Sequence, residues 1–112
     1  MNGYSQKVSR IDPPNWWVGM KNQKLQLMVY GQNIYTANVS INYKGVILES
    51  IDKVENPNYL FLNLTISSDA VSGKLPIEFK FPKGKPLVTQ YELKDREKGS
   101  AERKGFDNSD VV

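Results

Sequence analysis

Apolar and polar side chains alternate along most of the chain between residues 6 and 93. Five segments show this period of two clearly: 24–30, 38–43, 60–66, 75–81 and 87–93. Because successive side chains of a β-strand point to opposite faces of a sheet, the alternation predicts five strands. Segment 46–54 is a weaker candidate, and segment 7–11 fits a first edge strand that stops before Pro13 and Pro14.

The same alternation predicts which side chains form the core. Within each strand candidate, we expect the apolar residues of one parity to face inward and the residues between them to face solvent. The expected inward set is Leu25, Leu27, Val29, Val39, Ile41, Leu62, Leu64, Ile77, Phe79 and Tyr91. In segment 46–54 the rule places Ile47 and Ile51 on one face and Leu48 on the other.

Turn-forming residues separate the strand candidates. Lys44 and Gly45 predict a tight hairpin, and segments 56–58 and 83–86 carry the Pro, Gly and Asn residues of further turns. The polar segment 67–73 is expected to cross over to another strand, and no window keeps a helical period. About seven short strands separated by turns predict an all-β fold, an immunoglobulin-like antiparallel β-sandwich.

Two residue types that carry much of enzyme chemistry are missing from the sequence. The chain contains no Cys, so it has no disulfide, no thiol nucleophile and no Cys-based metal site. It also contains no His, which removes the commonest general base and the commonest transition-metal ligand. Only carboxylate, Lys or Tyr chemistry is left for an enzyme hypothesis. We therefore expect no metal and no cofactor.

The net charge of +3 comes from 15 basic and 12 acidic residues. The basic residues are scattered, so the dense basic patch of a nucleic-acid-binding protein is missing. No apolar run approaches the about 18 residues of a membrane span. Residues 1–5 also lack the basic and apolar segments of a secretory signal. We expect neither nucleic acid nor a membrane as a partner.

A pair of carboxyl groups held close together, one with a shifted pKa, is the remaining route to hydrolysis. Before residue 92 the chain has six acidic residues: Asp12, Glu49, Asp52, Glu55, Asp69 and Glu78. Each lies in a turn, beside prolines or on a predicted solvent face. Because acidic side chains are usually solvated surface groups, the sequence predicts no catalytic residue in this chain.

The adjacent pair Trp16 and Trp17 is the most unusual local feature. In an extended segment the two side chains point to opposite faces, so one can pack on the core while the other faces outward. An outward Trp near Tyr4, Tyr30 or Tyr35 could stack on a sugar ring, or it could bury itself against a neighbouring domain. Plain packing in the core is the third interpretation.

Composition changes at Glu92. Nine of the fourteen residues from Glu92 to Gly105 are charged, which indicates an exposed linker. The end of the sequence, residues 110–112, then turns apolar, as at the start of a new strand. We therefore predict a domain at residues 1–93, followed at residues 94–112 by a charged linker and the truncated start of another domain.

Two segments of the chain resemble a known family. Residues 13–22, with the sequence PPNWWVGMKN, and residues 25–31, LQLMVYG, resemble the opening of the N-terminal domain of cyclomaltodextrinases and neopullulanases. These are enzymes of the α-amylase superfamily, glycoside hydrolase family 13, that act on starch and maltodextrins. Residues 91–96 are similar to the exit from that domain, and residues 110–112 resemble the first strand of the catalytic barrel.

The resemblance implies an immunoglobulin-like domain that precedes a (β/α)8 barrel. The barrel would hold the catalytic carboxylates, so this chain is expected to have no activity alone. Its implied role is that of a non-catalytic accessory domain that packs on the catalytic barrel of the same polypeptide and helps to form a dimer with a second subunit. The parent enzyme would act in starch, maltodextrin or pullulan metabolism. The alternative is a starch-binding module that holds α-glucan through exposed aromatic side chains.

The residues expected to carry either role lie in the resembling segments. The candidates for the interface or for carbohydrate binding are Trp16, Trp17, Met20, Lys21 and Tyr30. An apolar patch around the two Trp residues that continues to the linker would favour the accessory domain. An exposed aromatic platform with Asn or Lys beside it would favour the starch-binding module. The resemblance also implies the periplasm or cell envelope as the compartment.

Overall fold

The computed structural model describes residues 7–95 of the chain, which form two four-stranded β-sheets and their connections. The strands are β1 (Arg10–Asp12), β2 (Asn15–Trp17), β3 (Lys24–Tyr30), β4 (Asn38–Ile41), β5 (Val46–Lys53), β6 (Tyr59–Ile66), β7 (Gly73–Lys80) and β8 (Leu87–Lys94). A short 3-10 helix, Ile34–Thr36, follows β3. Within these residues, no helix has the length and apolar character needed to cross a membrane.

The first sheet has the strand order β1-β3-β6-β5, and the second sheet has the order β2-β8-β7-β4. The hairpins β5–β6 and β7–β8 stay within one sheet, while the other connections between β1 and β8 pass from one sheet to the other. The apolar inner faces of the two sheets enclose the core. This arrangement confirms the prediction of an all-β, immunoglobulin-like β-sandwich.

Strand β2 is not predicted by the sequence pattern. It pairs in parallel with β8, with Trp16 opposite Leu93 and Trp17 opposite Lys94. The other strand pairs of the two sheets are antiparallel. The three residues of β2 show no alternation of polar and apolar side chains. The strand with which β2 pairs depends on the path that the backbone takes after Pro13 and Pro14. The described strands consequently number eight, where the pattern predicts about seven.

The core contains most of the predicted inward set. Eight of the ten predicted residues are buried: Leu25, Leu27, Val29, Leu62, Leu64, Ile77, Phe79 and Tyr91. Val39 and Ile41 are only partly buried, because they lie on edge strand β4, which has a neighbour on one side alone. Burying a large apolar side chain stabilises a fold by about 1.5–3 kcal/mol, so this set dominates the stability of the sandwich.

Strand β5 contains a β-bulge that changes which of its side chains face inward. The register of β5 against β6 skips Glu49, which is the extra residue. Leu48 and Ile51 therefore both pack against the core, whereas Ile47 is exposed. The expectation that Ile47 and Ile51 share a face is wrong, because one inserted residue shifts the alternation by one position.

The sequence predicts that the turn at Lys44 and Gly45 closes a tight hairpin, but the two strands that it joins lie in different sheets. It carries the chain from β4 in the second sheet to β5 in the first, with a single bridge between Tyr43 and Val46. Gly45 has a φ of 83°, and a Cβ there would lie 2.5 Å from the Cα of Ala70 in the β6–β7 crossing. The two crossings therefore pack tightly against each other, and the turn accepts only glycine.

A hydrogen bond from strand β8 holds the connection between β1 and β2. The chain enters the second sheet through the peptide bond Asp12–Pro13, which is cis. The buried Tyr91 hydroxyl donates a 2.8 Å hydrogen bond to the carbonyl oxygen of Pro13. Burial raises the pKa of Tyr91, and the negative charge of Asp12 adds to the effect, so the hydroxyl keeps its proton. This bond helps to place β2 beside β8.

The strand directions give the sandwich two ends. The exit end is the one where β2 and β8 finish, at Trp17 and Lys94. The far end is the one where β3 finishes and β6 begins, at Tyr30 and Tyr59. Because a strand rises about 3.4 Å per residue, the seven residues of β3 separate the two ends by about 20 Å.

The predicted boundary at residue 93 lies close to where β8 finishes. Lys94 is the last residue of β8, and Asp95 follows it. Residues 96–112, which hold the rest of the predicted linker and the predicted start of the next domain, lie outside the described residues. Residues 1–6, with Tyr4, also lie outside them.

Candidate functional site

Trp17 lies at the exit end, on the outermost strand of the second sheet. Trp16 turns inward and packs against the core, while Trp17 keeps 36% of its surface exposed. The two rings meet edge to face, with their centroids 5.6 Å apart. The pair therefore forms one aromatic group that is anchored in the core on one side and reaches the surface on the other.

Strand β8 leaves the sandwich directly beside Trp17. The backbone N–H of Val18 donates a 2.9 Å hydrogen bond to the carbonyl oxygen of Lys94, which extends the β2–β8 pairing by one residue. The Lys94 ammonium lies 5.9 Å from the centre of the Trp17 ring, within the range of a cation–π interaction. On the other side, the Ser72 hydroxyl donates a 3.1 Å hydrogen bond to Asp95. The end of β8 is thus held from both sides.

Met20 and Lys21 lie in the turn that follows β2. Gly19 has a φ of 79°, a left-handed conformation that lets the chain turn toward β3. Met20 is half-buried, and Lys21 is exposed. Because this turn joins β2 to the start of β3, the fold brings four of the five predicted candidates to the exit end.

Tyr30, the fifth candidate, lies at the far end. It is the last residue of β3 and faces Tyr59 of β6, with the ring centroids 5.0 Å apart and the planes at 45°. Trp17 belongs to the other sheet, so the structure does not combine Tyr30 and Trp17 into one site. Tyr35 also belongs to the far end, where the Lys53 ammonium lies 6.0 Å from the centre of its ring.

Sequence reasoning gives no role to Tyr59, the partner of Tyr30. The alternation in β6 places Phe61 and Asn63 on the outer face, and the structure agrees. However, the alternation does not tell which strand lies next to β6. The contact between Tyr59 and Tyr30 therefore cannot be predicted from it. Two clusters of exposed aromatic side chains follow from the fold, one at each end.

Six of the eight acidic side chains in residues 7–95 accept hydrogen bonds at the surface. Glu49 accepts a 2.8 Å hydrogen bond from the Thr65 hydroxyl. Asp69 accepts one from the Ser67 hydroxyl, and this bond lowers the pKa of Asp69. Among residues 7–95, no group of three or more His, Cys, Asp or Glu side chains could hold a metal ion.

Among solved structures, the chain is similar to the BIgI domain of the beta protein from S. agalactiae, whose structure was determined bound to CEACAM1. The two share 12% sequence identity, and the TM-score is 0.47. The match covers 82% of this chain and 97% of that chain.

A family model described as "Cyclomaltodextrinase, N-terminal" matches residues 10–97. The matched range begins with β1, includes every strand through β8, and contains all five candidate residues. It covers well over half of the 112 residues and confirms the resemblance carried by residues 13–22 and 25–31. The chain belongs to the cyclomaltodextrinase N-terminal domain family.

Proposed function

We propose that this chain is the non-catalytic accessory domain of an α-glucan-degrading glycoside hydrolase, and that its exit end packs on the catalytic barrel of the same polypeptide. The observation that carries the proposal is the family match over residues 10–97. The parent enzyme would act on starch, maltodextrin or pullulan. The domain would support the barrel and would not take part in the chemistry.

Trp17 is the side chain best placed to anchor the barrel. Its ring lies beside Lys94, where β8 leaves the sandwich on the path to the proposed barrel. A Trp on a paired strand loses little conformational entropy when it docks. Trp is also among the residues that contribute most to binding at protein interfaces. Both facts support an interface at the exit end.

We assign hydrolysis to the barrel, in line with the prediction from the sequence that this chain holds no catalytic residue. Glycoside hydrolysis needs a pair of carboxyl groups, and the general acid must have a raised pKa. Asp69 is exposed and accepts a hydrogen bond from the Ser67 hydroxyl, which lowers the pKa of Asp69, the opposite of what a general acid needs. The buried Tyr91 hydroxyl is engaged with Pro13.

A sugar platform at Trp17 has less support than a protein interface. A sugar that stacks on a ring needs an open face of that ring, because its C–H bonds pack against the π-electrons. A Lys does lie beside the exposed Trp17 ring, as the starch-binding interpretation expects, but its ammonium lies over the ring face that a sugar would need, and Trp16 meets the ring edge to face. A protein partner can bury the Lys94 stem together with the ring, since long basic side chains cover apolar surface well.

Truncation of Trp17 tests the proposed interface. We expect the chain to bind the separately expressed catalytic barrel of its parent enzyme in isothermal titration calorimetry. Trp17→Ala should weaken that binding about 30-fold, the effect of losing an anchor residue. Tyr30→Ala, which truncates an exposed aromatic side chain at the far end, is the matched control and should bind like the wild type. Circular dichroism shows whether each variant is folded.

Two results would contradict the proposal. If a folded Trp17→Ala variant binds the barrel as well as the wild type does, Trp17 is not the anchor. If the wild-type chain does not bind the barrel at all, the accessory-domain packing itself is wrong.

Dimer formation and the compartment are further parts of the proposal, and both rest on the resemblance of residues 13–22 and 25–31. Deletion of residues 1–93 from the parent enzyme should convert a dimer to a monomer in analytical ultracentrifugation. Cell fractionation should find the parent enzyme in the periplasm or cell envelope. An unchanged oligomeric state after the deletion would contradict the proposed role in dimer formation. Recovery of the parent enzyme from the cytoplasm would contradict the proposed compartment.

A further inference from the structure

Exposed apolar side chains lie on both sides of the place where β8 leaves the sandwich. Strand β8 lies between β2 and β7 in the second sheet. Trp17 is the last residue of β2, and Val71 lies just before β7, which begins at Gly73. Trp17 is 36% exposed and Val71 is 55% exposed. Because neighbouring strands lie about 4.8 Å apart, β2 and β7 are about 10 Å apart, and the two side chains flank the end of β8.

Three contacts hold the backbone at Val71 in place. The Tyr43 hydroxyl donates a 2.8 Å hydrogen bond to the carbonyl oxygen of Val71. A Cβ at Gly73 would lie 2.9 Å from that hydroxyl oxygen, so Tyr43 fits closely against the start of β7. Ser72, the residue after Val71, is hydrogen-bonded to Asp95 at the end of β8. Since a valine side chain is itself stiff, a partner that covers Val71 has little conformational freedom to remove.

Lys94 lies between these two side chains. It faces Trp17 in the β2–β8 pairing, and its ammonium group lies 5.9 Å from the centre of the Trp17 ring. Among residues 7–95, the one ion pair joins Arg10 and Asp12, so this part of the chain gives Lys94 no carboxylate partner. An ammonium group has three hydrogen-bond donors. The exit end therefore presents a positive group that can still take a carboxylate.

Covering the exit end sets a condition on the partner. A protein that buries the Trp17 ring must also cover the Lys94 ammonium group, because that group lies over the ring. Removing an ammonium group from water is costly unless it gains an oppositely charged, hydrogen-bonded partner. Trp17 and Val71, in contrast, gain from contact with any apolar surface. A well-matched partner therefore has apolar contacts with an acidic group between them.

We infer that the exit end binds a protein surface that places a carboxylate group between two apolar patches. The carboxylate meets Lys94, and the patches meet Trp17 and Val71. Apolar contact supplies most of the affinity, whereas Lys94 selects, among apolar surfaces, one that carries the acidic group. That this surface belongs to the catalytic barrel rests on the proposed function.

A second copy of the chain suits the exit end less well than a different protein. In a dimer with two-fold symmetry, the same surface patch faces itself. Two copies joined through their exit ends would therefore bring two Lys94 ammonium groups into one interface, where like charges repel. A different protein surface can supply the carboxylate that a second Lys94 cannot.

The far end offers a matched control for each of these side chains. There, the Lys53 ammonium lies 6.0 Å from the centre of the Tyr35 ring. The next residue, Val54, is 48% exposed, similar to Val71. A Lys over an aromatic ring, together with an exposed Val, therefore also occurs away from the end of β8. Variants of Lys53 and Val54 separate the position of these groups from their chemistry.

Calorimetric titration of the chain with the separately expressed barrel, at low and at high ionic strength, tests the role of Lys94. Lys94→Met keeps an apolar side chain beside Trp17 and removes the charge. We expect it to bind the barrel about tenfold more weakly than the wild type at low ionic strength, because the carboxylate of the barrel is left unpaired. Added salt should weaken the binding of the wild type more than that of Lys94→Met. Lys53→Met should match the wild type in affinity and in salt response.

A charge at Val71 tests the second apolar contact. Val71→Asp places a carboxylate against an apolar patch, so we expect it to bind the barrel about 30-fold more weakly. Val54→Asp should bind like the wild type. Because both residues are exposed, both variants should fold, which circular dichroism checks.

Amide hydrogen exchange provides a second measurement, in the intact parent enzyme. Residues 71–73 should exchange more slowly there than in the isolated chain, because the partner surface covers them. Residues 53–55, at the far end, should exchange at the same rate in both proteins.

The inference can fail while the proposed function stands. If Trp17→Ala weakens binding but folded Lys94→Met keeps wild-type affinity and salt response, no carboxylate meets Lys94. Wild-type binding by Val71→Asp, or equal exchange of residues 71–73 in the two proteins, would exclude Val71 from the interface. Self-association of the chain that Val71→Asp abolishes would assign the exit end to a second copy. If the wild-type chain does not bind the barrel, both the inference and the proposed packing are wrong.

Discussion

The two ends of the sandwich carry exposed aromatic side chains in different surroundings. At the exit end, Trp17 lies beside the Lys94 ammonium group and the end of β8. At the far end, Tyr30 and Tyr59 lie on an open sheet face that leads into a row of hydrogen-bonded amides. Exposure of an aromatic ring therefore does not define a function by itself. The groups around the ring decide which kind of partner it suits.

Two turn glycines, Gly45 at the exit end and Gly84 at the far end, differ in the space around them. At the exit end, the crossing at Gly45 lies against the backbone of Ala70. At the far end, Gly84 in the β7–β8 hairpin has a φ of 89°, but a Cβ there would have no atom within 4 Å. Both positions require a left-handed conformation, yet only Gly45 has no space for a side chain.

Replacement of each glycine by alanine measures this difference and should give the largest effect. Gly45→Ala combines left-handed strain with a clash against backbone, so we expect it to lower the free energy of unfolding by about 3–4 kcal/mol. Gly84→Ala has the strain without the clash and should cost about 1 kcal/mol. Urea denaturation monitored by Trp fluorescence compares the two variants. Equal losses would show that the crossings at the exit end can relax.

Tyr91→Phe should give the next largest effect. The substitution removes the hydrogen bond to the Pro13 carbonyl and leaves that partly buried oxygen without its partner. We expect a loss of about 1–2 kcal/mol in the free energy of unfolding. Amide hydrogen exchange should show the loss as faster exchange in β2, at the exit end, with β6 little changed. Uniformly faster exchange in both strands would mean that the bond does not specifically support β2.

Much of the sandwich is predictable from the sequence, because a strand with one face on the core shows apolar and polar residues in alternation. Leu27, Leu62 and Phe79 follow that rule and are fully buried. The rule fails where one residue is inserted, as at Glu49, because the bulge is visible only in the pairing of β5 with β6. It also fails for β2, whose three residues depend on contacts with β8 that are distant in sequence.

The candidate site is predictable only in part for the same reason. The unusual pair Trp16 and Trp17 stands out in the sequence, and the alternation implies that one ring faces inward. The neighbours that give Trp17 and Tyr30 different surroundings, Lys94 and Tyr59, come from strands more than 25 residues away. Strand order, which no local pattern contains, brings them together.

Of the predicted effects on stability, the pH dependence that arises from Asp69 in the β6–β7 crossing should be the smallest. The Ser67 hydroxyl holds the pKa of Asp69 below its usual range in the folded protein. A lowered pKa stabilises the fold at neutral pH, and this contribution is lost as the pH falls through the range where aspartate takes up a proton. Asp69→Asn should therefore reduce the loss of stability on acidification. The comparison uses urea denaturation at neutral pH and below pH 4; identical pH profiles for wild type and variant would contradict the assignment.

Protection of Trp17 in the parent enzyme tests the central claim most directly. Hydroxyl-radical footprinting with mass spectrometry reports the oxidation of Trp17 and Tyr30 separately, both in this chain and in the parent enzyme with its barrel. We predict that Trp17 is oxidised readily in the isolated chain and several-fold more slowly in the parent enzyme, because the barrel covers the exit end. Tyr30, at the far end, should react at the same rate in both. Equal oxidation of Trp17 in the two proteins would contradict the claim that the exit end packs on the barrel.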